Sequence, residues 1–300
     1  MILRSLSLTL LLGLSWSALL RGIEPPANPQ PAAQAEAGLP FKLERFALPG
    51  PVAGVLARVD LADPRVKVQV VLADDRDPDG DGPCVGRLDT PSQAARKHDF
   101  ALAINASFFA VAGQRKVGER SVPYFTGNGA FPEGWHLSDG KLVARPRKEA
   151  FRAVFIVDAA GRVSFLEDAK ELPPTARYAV SGSSMVLRAG QAVARPGDAV
   201  RHPRSAVGLS ADGRTLFIAA VDGRQDHSRG VTLEELGQLM KGFGAHQALN
   251  LDGGGSTSLV VKDPASGVYA IANQPSDTSI VFPGLRIERP VLDVIGVSVR

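Results

Sequence analysis

Two carboxylates occupy matching places in this chain: each follows an apolar run and each is followed by glycine. Asp222 stands in Val221-Asp222-Gly223-Arg224 after the run from Thr215, and Asp252 in Asn250-Leu251-Asp252-Gly253-Gly254-Gly255-Ser256-Thr257 after the run from Gln247. A pair of acids can do general acid–base or nucleophilic work at carbon, and can equally hold a divalent cation. Successive glycines let backbone N–H groups approach an anion that a Cβ would block, and Ser256 and Thr257 add hydroxyls. Read alone, Asp252-Gly253 is also an ordinary tight turn capped by its own aspartate.

Cationic and amide groups stand in two further clusters. Arg201-His202-Pro203-Arg204-Ser205-Ala206-Val207-Gly208 places two arginines about a proline, and Arg224 follows Asp222 directly. Guanidinium groups suit phosphate because they are planar, permanently charged and bidentate, although an arginine pair is also a common solvated surface. Asn105, in Asn105-Ala106-Ser107-Phe108-Phe109, ends the run Phe100 to Ile104 and offers both a donor and an acceptor to a sugar hydroxyl or phosphate oxygen; stabilising its own turn would use the same atoms.

The elements expected to carry these residues are legible from periodicity. Thr215–Val221 and Gln247–Leu251 read as buried strands. Between them Thr232 begins a capping box with Glu235, and Leu233, Leu236, Leu239 and Met240 keep helical spacing until Gly242 and Gly244. Strand, helix and strand over about thirty residues predict a βαβ unit, which makes its strands parallel and brings Asp222 and Asp252 to one edge. Leu259–Val261 and Val268–Ile271 predict a hairpin about Asp263-Pro264-Ala265-Ser266-Gly267, Thr90-Pro91 predicts a helix start, and Glu288–Val297 predicts a closing strand buried on both faces. The predicted fold class is α/β in the α+β mixed sense: one domain, with a mixed sheet containing the βαβ unit and flanked by helices.

In order, Asn105-Ala106-Ser107-Phe108-Phe109, Ser181-Gly182, the Arg201–Gly208 cluster, Val221-Asp222-Gly223-Arg224, Gly230-Val231-Thr232, the Asn250–Thr257 stretch and Pro275-Ser276-Asp277 resemble the phosphodiester glycosidase family, from about Arg87 to the C-terminus. The resemblance implies a hydrolase that cleaves the glycosidic bond of a sugar-1-phosphodiester. It assigns catalysis to Asp252 first and Asp222 second, and substrate binding to Asn105, Arg204, Arg224, Gly253, Gly254, Gly255, Ser256 and Thr257, with backbone donors around Gly253 and Gly254 on the phosphate. No metal is assigned and no cofactor is required. Ser107 departs from the glycine expected there and is read as narrowing the space beside Asn105. Two readings compete: metal-dependent cleavage at phosphorus with the same two acids as ligands, and a non-catalytic module that binds a cell-wall or exopolysaccharide glycan.

Composition fits one sizeable folded domain: 300 residues, 44% hydrophobic and 22% charged, with net charge +3. Met1–Leu20, with Arg4 before a leucine-rich run, reads as a signal peptide to about residue 21, predicting a secreted or periplasmic protein; if uncleaved it would be a membrane anchor. Losing it removes Arg4 and Arg21 and leaves 32 basic against 31 acidic residues, so overall charge gives no case for a nucleic-acid partner. Residues 22–40, rich in Pro and Ala, read as a linker, and 41–300 as the catalytic domain. Cys84 is the only cysteine, so the chain forms no internal disulfide.

Asp77-Pro78-Asp79-Gly80-Asp81-Gly82 matches the first half of a calcium loop, but Leu88 stands where that loop needs a bidentate glutamate; an acidic surface loop is the reading, with calcium as the alternative. Tyr124, Phe125, Phe131 and Trp135 gather after Phe109 in a stretch without clean periodicity, where a sugar ring could stack or a core could close.

Overall fold

The structure is a computed structural model describing residues 38–193, 198–282 and 284–300. The expected leader (1–21) and most of the expected linker (22–40) lie outside the described residues. Among the described residues no helix is long and apolar enough to cross a membrane.

Three larger sheets make up most of the fold. The first has seven strands in the order Phe41–Leu48, Val52–Asp60, Thr215–Val221, Arg204–Leu209, Gln247–Asn250, Ser184–Arg188 and Gln191–Ala192. The second runs Tyr269–Ile271, Leu259–Lys262, Leu102–Asn105, Asp293–Val299 and Val66–Leu72. The third runs Lys141–Ala144, His136–Ser138, Ala176–Gly182, Ala153–Asp158 and Val163–Leu166.

Strand alternation explains the layering. Along Thr215–Val221, Leu216, Ile218 and Ala220 face a central core shared with Ile104 and Ile295 of the second sheet and Phe155 and Val180 of the third. Phe217, Ala219 and Val221 face the other way, onto Leu236 and Met240 of the Leu233–Gly242 helix. On the far side of the second sheet, Ala94 and Ala95 of the Pro91–His98 helix pack on Val71, Phe100, Ala103 and Val294. The first two sheets therefore pack face to face between two helices, and the third contributes to their shared core.

Local chemistry sets the helix ends as the sequence implies. The Thr232 hydroxyl accepts from Glu235 N at 3.1 Å while the Glu235 carboxylate accepts from Thr232 N at 2.9 Å, the reciprocal capping box. Thr90 caps the other helix, accepting from Gln93 N at 3.2 Å, with Pro91 at the first helical position. The expected hairpin pairs Val260 with Ile271, and Asp293–Val299 lies between two partners, buried at its first five residues.

The expected α/β class is corrected to a mostly β fold. Every strand pairing among the described residues is antiparallel, so there is no mixed sheet. Thr215–Val221 and Gln247–Asn250 do run parallel to each other across the connecting helix, but Arg204–Leu209 lies between them and pairs antiparallel with both. A short turn is responsible: Asp212 accepts from Arg214 N, Gly213 takes φ +72°, and the resulting hairpin places Arg204–Leu209 beside the strand that follows it.

At Gly182 the chain passes from the third sheet into the first, where Ser184 pairs with Asn250. A Cβ there would lie 2.1 Å from the Asn250 carbonyl oxygen, a backbone atom with nowhere to go. Gly182→Ala is expected to destabilise the fold by about 1–3 kcal/mol, the usual cost of overpacking. Urea denaturation should show a lower midpoint; an unchanged midpoint would refute the close approach.

Candidate functional site

Antiparallel interleaving gathers the chemistry at one rim. Arg204 begins its strand opposite Val221, and two residues on Ala206 faces Asn250, so Arg204, Asp222 and the turn after Asn250 emerge together. From the second sheet, Leu102–Asn105 ends at the same place: Asn105 Nδ2 donates to the Asp252 carbonyl at 2.6 Å. Its Oδ1 accepts from Ser205 Oγ at 2.7 Å and Ser258 N at 3.2 Å. Asn105 is fully buried, so its amide knits the rim together instead of facing an open site.

Asp252 is partly exposed as a residue, but its carboxyl is desolvated. Burial is the main cause that raises it to about 6, and the Asp293 charge adds to the rise; Ser256, Arg289 and the bond from Gly253 N oppose it. Ser256 Oγ is close enough to favour the ionised form, although no hydrogen bond of good geometry joins it to any protein atom. Asp252 N in turn donates to the Ala106 carbonyl at 2.9 Å.

Behind this segment lies a buried polar knot. Asp293 accepts from Ser107 N and from Ser107 Oγ, each at 2.7 Å, and its Oδ2 lies 2.8 Å from His136 Nδ1. Ser107 therefore turns inward, which corrects the expectation that its side chain narrows the space beside Asn105. Glu288, whose carboxyl is pushed up chiefly by burial, accepts from Ser258 Oγ at 2.7 Å and supports the same region.

Asp222 sits in a different environment. Its Oδ1 accepts from Gln274 N at 2.8 Å and Asn273 Nδ2 at 3.2 Å, and its Oδ2 lies 3.1 Å from His227 Nε2. Only 5% exposed, it holds the 273–277 loop onto the rim. The amide donors of Asn273 and Gln274 stand beside Oδ1 where a cation would need to sit.

The glycine triplet makes room for guanidinium groups. A Cβ on Gly254, which has φ +62°, would stand 3.2 Å from Arg224 Nη2, and one on Gly255 would lie 2.1 Å from Arg289 Nη2. The expected role of the turn amides is corrected for two of them: Gly253 N donates to Asp252 Oδ1 at 2.9 Å and Gly254 N to the Pro203 carbonyl at 2.9 Å. Arg289 is committed to Asp277 through bonds of 2.8 and 3.1 Å, with its guanidinium 4.2 Å from the Tyr124 ring centre. Arg224 differs. Its Nη2 donates to His202 Nδ1 at 3.1 Å, and among the described residues it has no acidic partner. Burial, then the charges of Arg204 and Arg224, pushes His202 below the usual histidine range, so the imidazole is a neutral acceptor that leaves the Arg224 charge in place. Arg224 itself is held at φ +57°, a backbone conformation uncommon for a side-chain-bearing residue. Arg204 Nε donates to the Val231 carbonyl at 3.2 Å.

Ser256 Oγ, Thr257 Oγ1, Ser276 Oγ and Asn250 Oδ1 are buried without a hydrogen-bond partner in the protein. Orphaned buried polar atoms are costly and are concentrated here, as expected where a ligand completes a site. The structure thus brings together Asp222, Asp252, Asn105, Arg204, Arg224 and the glycine turn. His202 and His227 are additions; the polar 273–277 loop does return to this rim, a direction its own sequence leaves open, and Arg289 reaches it as a structural ion pair with Asp277.

The remaining candidates lie elsewhere. Trp135 is core, 2% exposed with Nε1 bonded to the Ala169 carbonyl, and Phe131 lies beneath Arg147; of the four aromatics Tyr124 alone touches the rim, through Arg289. In the acidic run Asp74 pairs with Arg76 and Asp75 with Lys97, while Asp77 caps the amides of Asp79 and Gly80. No group of three or more His, Cys, Asp or Glu suited to a metal occurs among the described residues. Burial pushes the Cys84 thiol up to about 11, away from nucleophilic use. Two clefts, of about 480 and 390 Å³, are lined by neither aspartate.

A phosphodiester glycosidase family model matches residues 98–298. The fold is shared with the catalytic domain of zebrafish N-acetylglucosamine-1-phosphodiester alpha-N-acetylglucosaminidase, auto-inhibited by pro-peptide, at TM-score 0.60 and 22% identity over 87% of this chain and 82% of that one. A hypothetical protein from Synechocystis shares it at TM-score 0.57 and 15% identity, over 87% and 62%. The SPbeta prophage-derived uncharacterized protein YomE of Bacillus subtilis (strain 168) is 39% identical over 99 residues, which are 33% of this chain and 13% of that protein.

Because the folded-state pKa of Asp252 stands above its ordinary 3.8, ionising it costs folding free energy. The cost is absent below about pH 4 and grows as pH rises through about 6. Asp252→Asn should therefore be more stable than the parent by about 1–3 kcal/mol at pH 8 and nearly equal to it at pH 4. Thermal unfolding at the two pH values checks this; equal stability at pH 8 would show that the carboxyl is not desolvated.

Proposed function

The chain belongs to the phosphodiester glycosidase family, and on that premise we propose that it hydrolyses the glycosidic bond of a sugar-1-phosphodiester at the rim around Asp252. The observation that carries the reading is a desolvated carboxylate two residues before Gly254, against which the guanidinium of Arg224 lies without an acidic partner among the described residues. Phosphate is already a good leaving group, so its departure needs charge stabilisation more than protonation.

Arg224 binds a phosphate oxygen and stabilises the charge that grows on it, with Arg204 at the edge of the same group. Asp252, ionised above about pH 6, either attacks the anomeric carbon or takes the proton from an attacking water. The anomeric C–O bond breaks with its electron pair passing to the phosphate, which leaves as a monoester. Water supplies the new hydroxyl on the sugar. Asp222 acts by holding the 273–277 loop, and the Ser256 and Thr257 hydroxyls take up ligand hydrogen bonds. The reaction requires no cofactor.

Metal-dependent cleavage at phosphorus is disfavoured by the two N–H donors that already occupy Asp222 Oδ1. The leucine-rich Met1–Leu20 supports export and, with it, action on a cell-envelope or exopolysaccharide glycan outside the cytoplasm.

Hydrolysis of a glycosyl phosphodiester in isotopic water should put the label on the sugar and none in the released phosphate monoester. Label in the phosphate would sink this reading. Asp252→Asn should abolish turnover, and Arg224→Ala should lower kcat/KM on the order of 10²- to 10³-fold, as loss of a charge-stabilising group does. The rate of the parent protein should rise as pH passes through about 6 and be unaffected by a chelator.

A further inference from the structure

Residues 278–282 and 284–287, which follow Asp277, are tied by hydrogen bonds, expose apolar side chains and are unused by the chemistry above. Thr278 bridges to Arg286, Ser279 N donates to the Leu285 carbonyl at 2.8 Å, and Ile287 N to the Asp277 carbonyl at 3.1 Å. The Ser279 hydroxyl accepts from Val281 N at 3.2 Å and Phe282 N at 3.0 Å, fixing the turn. Yet its side chains are bare: Val281 is 69% exposed, Phe282 66% and Leu285 53%, with Ile280 and Ile287 at 37% each. Five of the nine large apolar side chains exposed among the described residues are gathered here. Scattered exposed apolar residues need no explanation, but a cluster on a hydrogen-bonded protrusion does.

The surroundings are basic. The Arg115–Val122 hairpin lies against this loop: its Val117, Glu119 and Arg120 line the 480 Å³ cleft together with Thr278, Ser279 and Ile280. That hairpin carries exposed Arg115, Lys116 and Arg120, and the loop itself carries exposed Arg286. Against these four cations stands one exposed acid, Glu119; Asp277 at the foot of the loop is paired with Arg289. An apolar tip in a cationic collar is the pattern that enters the boundary between lipid headgroups and acyl chains while its charges meet anionic headgroups. A second copy of this chain would bring the same cations face to face, which charge disfavours.

We propose that residues 278–282 and 284–287 form an interfacial anchor for an anionic lipid surface, with Val281, Phe282 and Leu285 entering the membrane boundary. Its foot, the Asp277–Arg289 pair, touches Gly255, so anchoring sets the catalytic rim at headgroup level. The anchor does not depend on the proposed reaction; where that reading holds, it makes the substrate a membrane-borne glycosyl phosphodiester.

The test is an environment-sensitive fluorophore on Phe282→Cys of the full chain, with a second preparation labelled at Ala265→Cys in the exposed 263–267 turn; Cys84 is buried and escapes labelling. Vesicles of phosphatidylglycerol and phosphatidylcholine should shift emission at 282 to the blue and leave 265 unchanged, with a smaller shift on pure phosphatidylcholine and in high salt. The 265 label separates the loop from adsorption through the N-terminal segment, which would shift neither or both. Water-like emission at 282 on anionic vesicles overturns the proposal. So does a blue shift that follows protein concentration without lipid, which would assign the surface to a second copy. Neither outcome bears on turnover, which soluble glycosyl phosphodiesters report separately.

Discussion

The buried amide of Asn105 is the interaction on which the rim depends. It joins the end of a second-sheet strand to the Asp252 carbonyl, to Ser205 in the first sheet and to Ser258, so the seam between two packed sheets is fixed by one side chain. Such an amide is demanding: with its partners in place it specifies one arrangement, and with one partner lost it leaves a buried polar group at a cost of about 1–3 kcal/mol. The Ser107–Asp293–His136 knot behind it holds the next two residues of the same segment, and Ala106 accepts the Asp252 backbone N–H. The carboxyl of Asp252 is thus positioned through its own peptide, leaving the side chain to the chemistry.

The two aspartates show how environment divides labour between identical groups. Asp222 accepts from Asn273 and Gln274 and lies beside His227, so its oxygens are engaged within the protein and hold a loop. Asp252 is stripped of water, faces the Asp293 charge from behind and is pushed up to about 6. The difference lies in surroundings: one carboxyl is engaged by donors of a neighbouring loop, and the other is left with its water removed.

The sequence made the local parts legible and the assembly only partly so. Thr232 with Glu235, Thr90 with Pro91 and the 259–271 hairpin follow from short-range chemistry, and each is present. The parallel sense of the strands ending at Asp222 and Asp252 is also readable, but the strand between them is not, because a sheet neighbour is chosen by tertiary packing and the Asp212-Gly213 turn does not by itself say which strands it joins. Apart from Ser181-Gly182, the strands of residues 41–60 and of the third sheet close on no motif that would mark them. The paired ends Asp222, Asp252 and Asn105 were found because each closes an apolar run. Asn273, which bonds Asp222 from 51 residues away, lies in a polar loop whose composition allows a return to the rim but whose direction nothing local fixes.

The glycine triplet is the feature whose meaning changed most. Glycines before a helix or turn usually expose backbone N–H groups to an anion, and that expectation puts the binding charge in the backbone. Here Gly253 N and Gly254 N are engaged within the protein, and the missing Cβ atoms of Gly254 and Gly255 instead admit the guanidinium groups of Arg224 and Arg289. The difference matters for specificity. Backbone amides recognise an anion by partial dipoles fixed in the fold, whereas a guanidinium brings a full charge whose strength depends on what else it pairs with. Arg289 shares its charge with Asp277, and Arg224 rests on a histidine kept neutral by burial and by the arginines themselves. Of the two cations against the turn, the one without an acid is therefore the one able to gain most from an arriving phosphate.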